Sequence, residues 1–271
     1  MNRSILISTV LFFGASVSGG VGGESSLTDC NRSGYDIYMG WYAENTTLNP
    51  EDPTAGSLVA CMPDANGAFK TQFLFSYFGC AGGVDFGTVG GRRIGDNLSG
   101  SWNGTVDGRD IGGSFSGRWN GSKFSGTWNN ASGKVHIQIG SCEYFVAPEG
   151  TWELYPLGVS TKGLNIKVNT ATSPVTISWS SSVSGLYGFA VSVLDKRCVY
   201  DRISIADCTM WSAICSSMIG SLVYGNVPFG CLELSPSKSL VSGRDYIISF
   251  IAVGSRQSDV RAFATKIFTA P

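Results

Sequence analysis

Charge, histidine and long apolar runs are all scarce in this 271-residue chain. Charged residues make up 14% and the formal net charge is -1, so no basic field exists to attract phosphates. Nucleic acid is therefore a poor partner, and no polybasic run would hold the chain on an anionic membrane. The single histidine, His136, leaves little material for Ser-His or Cys-His catalysis. No Cys-x-x-Cys pair occurs, which removes the usual spacing of a structural zinc site. Beyond the first twenty or so residues no stretch is long and apolar enough to span a bilayer as a helix. Disorder is excluded by the opposite abundance, since 43% of the residues are apolar and 12% aromatic.

Glycine is plentiful, with 36 residues, and few charges with many glycines suit a β-rich extracellular chain. The chain opens with Met1-Asn2-Arg3-Ser4, an apolar run from Ile5 to about Ala15, and small residues through Gly20. One positive charge, a short hydrophobic core and a small-residue region are the layout of a secretory signal peptide covering residues 1–20. Secretion follows, with the periplasm or the cell surface as the other destinations. Eight cysteines agree, four before residue 150 and four after it, which reads as two self-contained disulfide sets. The pairs expected are Cys61 with Cys80, Cys30 with Cys142, Cys198 with Cys231 and Cys208 with Cys215.

A short unit recurs in the region 98–152: Leu98-Ser99-Gly100-Ser101-Trp102-Asn103, Phe115-Ser116-Gly117-Arg118-Trp119-Asn120 and Phe124-Ser125-Gly126-Thr127-Trp128-Asn129. Read with period 2, each unit puts Leu or Phe, Gly and Trp on one face and the polar residues on the other. Turn signals such as Asp96-Asn97, Asp107-Gly108 and Asn120-Gly121 separate the units and favour tight hairpins between antiparallel strands. Residues 24–157 thus form an antiparallel β-meander of about eight strands, closed as a barrel or packed as a sandwich. A glycine inside each strand costs backbone entropy but lets an aromatic ring lie flat over the backbone.

Near residues 156–163 the repeats stop. Beyond them come Pro174-Val-Thr-Ile-Ser-Trp179, Tyr187-Gly-Phe-Ala-Val191-Ser-Val193 and Leu240-Val-Ser-Gly243-Arg-Asp-Tyr246, followed by a nearly continuous apolar strand over 246–253. These residues resemble a fibronectin type III domain over 164–271. The resemblance implies a β-sandwich with Trp179 in the core of the second strand and a tyrosine corner built on Leu240, Gly243 and Tyr246. It implies a binding or spacer module without catalytic residues. The segment 196–231 is longer than that pattern requires, and it carries the four later cysteines.

Chemistry is sparse. His136 lies on the polar side of an alternating strand, with no nucleophile elbow to serve. Glu143, Glu149 and Glu153 are the acids a glycosidase pair would draw on, Glu149 first. Asp107-Gly-Arg-Asp110 lacks the repeated oxygens of a calcium loop. No cofactor and no metal is implied, and the expected class is a non-enzymatic, all-β binding protein whose partner is a glycan or a cell-surface protein. Trp102, Trp119 and Trp128 either fill the core of the barrel or sandwich or, for a glycan, stand exposed and stack on sugar rings, with Asn103, Asn120 and Asn129 supplying hydrogen bonds. Two alternatives are a carrier holding a small molecule in the barrel among the same aromatics, and a secreted hydrolase. Asn31, Asn45, Asn97, Asn103, Asn120 and Asn130 each begin an Asn-x-Ser/Thr triplet, a glycan acceptor pattern in a eukaryotic secretory pathway.

Overall fold

A computed structural model describes residues 30, 34–45, 47, 55–76, 84–106, 109–139, 142–202, 205–256 and 258–271. The expected signal peptide, the Asn49–Pro53 loop, Cys80 and the Asp107-Gly108 turn lie outside the described residues, as does the side chain of Cys142. The fold is all-β apart from two short helices.

The meander closes as a barrel. Strands β1 (Tyr35–Glu44), β2 (Ala55–Pro63), β3 (Gly67–Ser76), β4 (Val84–Ile94), β5 (Asn97–Val106), β6 (Arg109–Trp119) and β7 (Phe124–Asn129) are followed by a separate hairpin, β8 (Val135–Ile139) and β9 (Cys142–Val146), and by β10 (Glu149–Pro156). Around the barrel the order is β1-β10-β7-β6-β5-β4-β3-β2, every pair antiparallel. The hairpin leaves the wall between β7 and β10, and Val135, Val146 and Ala147 pack against the barrel core at that end. At the other end Tyr38 and Trp119 meet edge-on at 6.1 Å, and the Arg93 guanidinium lies 5.0 Å from the centre of the Phe124 ring.

The strand glycines carry the interior. Phe115 and Phe69 are separated around the wall by Gly100 and Gly91, register neighbours on β5 and β4. Their rings close to 6.1 Å across those two bare backbones. Trp152 likewise reaches over Gly126 to Gly117, where an added Cβ would sit 2.4 Å from the indole. The ring over each glycine therefore comes from another strand and not from the glycine's own repeat unit.

The rest of the chain forms β11 (Asn165–Asn169), β12 (Thr176–Ser180), β13 (Gly188–Asp195), α1 (Lys196–Arg202), α2 (Ile205–Cys208), β14 (Thr209–Cys215), β15 (Ser221–Val223), β16 (Cys231–Ser235), β17 (Asp245–Val253) and β18 (Val260–Thr269). A three-stranded sheet, β11-β12-β15, faces a five-stranded one, β16-β14-β13-β17-β18. Trp179, Phe189 and Phe250 pack between them with ring centres 4.7–5.0 Å apart. The Tyr246 hydroxyl accepts the Val241 N–H at 2.8 Å, which ties the approach to β17. Helix α1 starts at Asp195, whose Oδ1 accepts the Cys198 N–H at 3.1 Å as a helix cap does, while Oδ2 pairs with Arg244 at 2.8 Å.

The two bodies share a third core. On β17, Tyr246, Ile248, Phe250 and Ala252 face the three-stranded sheet, while Ile247 and Ile251 face the other way. There they join Phe263 and Leu194 against Ile37, Met39, Val59, Cys61 and Tyr155 from the outside of the barrel, and the Tyr155 and Phe263 rings stack at 5.3 Å. A strand buried on both faces has no polar alternation, which is why 246–253 reads as continuous apolar sequence.

The disulfides differ from every expected pairing. Cys30 bonds Cys61, Cys198 bonds Cys208 and Cys215 bonds Cys231. Local geometry decides these pairs: Cys215 and Cys231 are register partners on β14 and β16, and Cys198–Cys208 ties α1 to α2. Three such bonds fit an oxidising, extracellular compartment. Among the described residues no helix is long and apolar enough to cross a membrane.

Candidate functional site

Two spaces are associated with the barrel, and they differ in size and chemistry. The interior one is what remains after the repeat aromatics have packed. Trp102 and Trp128 point inward, 7% and 9% exposed, with ring centres 5.7 Å apart edge-to-face. Trp119 is half-buried beside Tyr38 and Phe124. Of the two readings of these rings, core filling and a surface platform for sugars, the structure has the first: they are wall and end-plug of the barrel interior, on the glycine phase of their strands. Around them a cavity of about 70 Å³ remains, lined by Leu58, Phe69, Leu98, Phe115, Trp152 and Leu154 among others.

The expected asparagines are dispersed. Asn103 and Asn129 lie toward the β8–β9 end and Asn120 at the opposite end. Asn120 Oδ1 accepts the N–H groups of Ser122 and Lys123 and so organises the β6–β7 turn. Asn103 accepts the Thr88 hydroxyl at 2.6 Å. Asn129 lines a space of ligand size.

That space is an outer groove of about 840 Å³ between the barrel wall and the loop joining β17 to β18. Its floor follows from the alternation of β6, β7 and β10. The phase opposite Phe115, Trp128 and Trp152 places Ser116, Thr127 and Thr151 in one register row and Ser114, Asn129 and Glu149 in the next. All six are exposed. Asn129 holds its place by a reciprocal pair of bonds, accepting the Ser114 N–H and donating to the Ser114 hydroxyl, each at 3.0 Å. Asn45 donates to Glu149 at 3.1 Å. The facing loop contributes Ser255, Arg256, Ser258 and Asp259, and Arg261 holds the Asp259 carboxylate at 2.8 Å. The row of hydroxyls was readable from the repeat as its polar face; the loop opposite, some 130 residues later in the chain, left no signal there.

The remaining acids and the histidine stand apart. Glu149 and Glu153 share the outer face of β10 four residues apart, which places their Cα atoms about 13 Å from each other. Glu153 is bound by Lys123 and by the Tyr155 hydroxyl. Burial, and then the neighbouring Glu153, push the Tyr155 hydroxyl far above the usual tyrosine range. The side chain of Glu143 lies outside the described residues. His136 stacks on Phe145 at 4.8 Å in the exposed hairpin, and its backbone oxygen accepts Arg109 at 2.8 Å. Among the described residues no cluster of three or more His, Cys, Asp or Glu side chains could hold a metal ion.

No family model matches the chain, and neither does any curated protein or solved structure.

Proposed function

We propose that the protein acts outside the cell as a non-catalytic binding protein and that its ligand is a glycan held in the outer groove. The observation that carries this reading is the two-row grid of hydroxyl, amide and carboxylate groups on β6, β7 and β10, facing a space of about 840 Å³. Sugars present many hydroxyls and little charge, and such a ligand is matched by many short neutral donors and acceptors on a rigid sheet. The volume falls in the range of small-ligand sites, whereas the interior cavity is too small for a typical carried ligand. The engagement of Glu149 by Asn45 and of Asp259 by Arg261 supports binding over catalysis.

The C-terminal sheets serve this reading as a fibronectin type III-like module that brings one wall to the groove. The strand orders, the core position of Trp179 and the Tyr246-to-Val241 bond support that likeness.

Calorimetric titration with a panel of neutral oligosaccharides tests the proposal, comparing wild type with a Thr127→Val, Thr151→Val double variant. These two threonines are register partners and exposed, so the variant keeps shape while losing two hydroxyls. Affinity is expected to fall about tenfold or more with melting unchanged. A double variant that binds as well as wild type, or a panel with no binder, overturns it.

A further inference from the structure

The hydroxyl rows of the groove floor continue past the groove. The groove reaches β6, where its two rows end on Ser116 and Ser114, but strand register carries both onto β5. Ser99 is the partner of Ser116 and Ser101 the partner of Ser114. One row therefore runs Thr151, Thr127, Ser116, Ser99 over four adjacent strands and meets Arg92 on β4. The other runs Glu149, Asn129, Ser114, Ser101 and meets Gly90, where an added Cβ would have nothing within 4 Å.

These hydroxyls are unspent. Elsewhere on the same wall polar side chains bond one another, as Thr88 does with Asn103 and Thr105 with Asp110. Ser99, Ser101, Ser116, Thr127 and Thr151 are exposed, and among the described residues none of their hydroxyls has a partner in the protein. Adjacent strands lie about 4.8 Å apart, close to the length of one pyranose unit, so each strand crossed can meet one sugar ring. The groove covers about three such steps, and β5 and β4 add about two more. Because the rows cross the wall of a closed barrel, they bend with it. A straight β-1,4-linked chain leaves a bending wall, whereas an α-1,4-linked chain coils and can follow it.

Given the groove reading above, on which this step rests, we infer that the ligand is a neutral, α-linked glycan of about five units, which leaves the groove over β6 and follows the rows across β5 toward Arg92. Ser99 and Ser101 then bind the part of the chain that lies outside the groove, and their hydroxyls discriminate long chains from short ones.

The test is calorimetric titration of the full chain with maltotriose, maltohexaose, cellotriose and cellohexaose, which contain only glucose and differ in length and linkage. Maltohexaose is expected to bind about tenfold more tightly than maltotriose, from about two added hydrogen bonds, and cellohexaose to gain nothing over cellotriose. A Ser99→Val, Ser101→Val variant puts good strand formers at exposed strand positions, so its melting temperature should hold while maltohexaose and maltotriose bind it alike. The inference is overturned by equal affinities of the two α-linked probes in wild type, by an equal gain with length for the β-linked pair, or by a variant that keeps the preference for maltohexaose. It is also overturned if another neutral oligosaccharide binds where neither α-linked probe does. Those outcomes leave the groove reading standing, whereas a panel with no binder at all overturns both.

Discussion

The barrel has two kinds of outer wall, built from the same alternating backbone. On β6 and β7 only the inward phase is buried, and the outward phase is Ser, Thr, Arg and Asn in contact with water. On β1 and β2 most positions are buried and both phases contribute, because Ile37, Met39, Val59 and Cys61 press outward against the five-stranded sheet. Period-2 patterning therefore reports how many neighbours a strand has more than whether it is a strand. The wet wall is free to face a ligand. The dry wall joins the barrel to the sheets, and by fixing that junction it holds the β17–β18 loop opposite the wet wall.

The sharpest way to break this comparison is to place the same charge on both walls. Met39→Asp buries a carboxylate in the shared core and should cost about 4 kcal/mol or more, whereas Ser116→Asp should stay within about 0.5 kcal/mol. Urea unfolding followed by tryptophan fluorescence measures both, and equal losses would mean that the walls are not different.

A smaller effect separates glycines that carry rings from those that do not. Gly117→Ala forces a Cβ to within 2.4 Å of Trp152, and Gly90→Ala meets nothing within 4 Å. The first should destabilise by about 1–3 kcal/mol. The second should be neutral or raise stability by up to about 1 kcal/mol.

The smallest expected effect is alkaline. Burial pushes the Tyr224 hydroxyl up to about 12 in the folded chain, against about 10 for an unfolded tyrosine. Its contribution is complete below pH 10 and is lost as pH rises through 12, on the order of 1 kcal/mol at pH 11. Tyr224→Phe should flatten stability between pH 9 and 11, and an unchanged slope would show that this hydroxyl does not titrate late.

Much of the barrel was readable before any coordinates. The Gly-x-Trp spacing put glycine and the aromatics on one face of each strand, and the turn pairs marked the hairpins, since both are local consequences of the pleat. The interior position of Trp102 and Trp128 was readable as a pattern but not as a fact, because alternation separates two faces without saying which one is wet. The disulfide partners were not readable. Cys215 meets Cys231 through the register of β14 and β16, and no spacing rule in the chain encodes that register. The groove was half readable: Ser114, Ser116, Thr127 and Thr151 lie in the repeat, while Arg256 and Asp259 come to face them only when the two bodies dock.

What the sequence determined by itself is the class of the molecule: an all-β chain of strands joined by short antiparallel connections, with aromatics and glycine sharing one face, and rich in cysteine. These follow from residue-scale sterics and periodicity. The tertiary structure alone decided which phase of each strand is dry, which cysteines meet, and that a polar groove opens where the barrel and the sheets come together. Those outcomes depend on contacts between residues more than a hundred positions apart, such as Tyr155 with Phe263, and burial that is shared between distant segments leaves no periodic trace in either one.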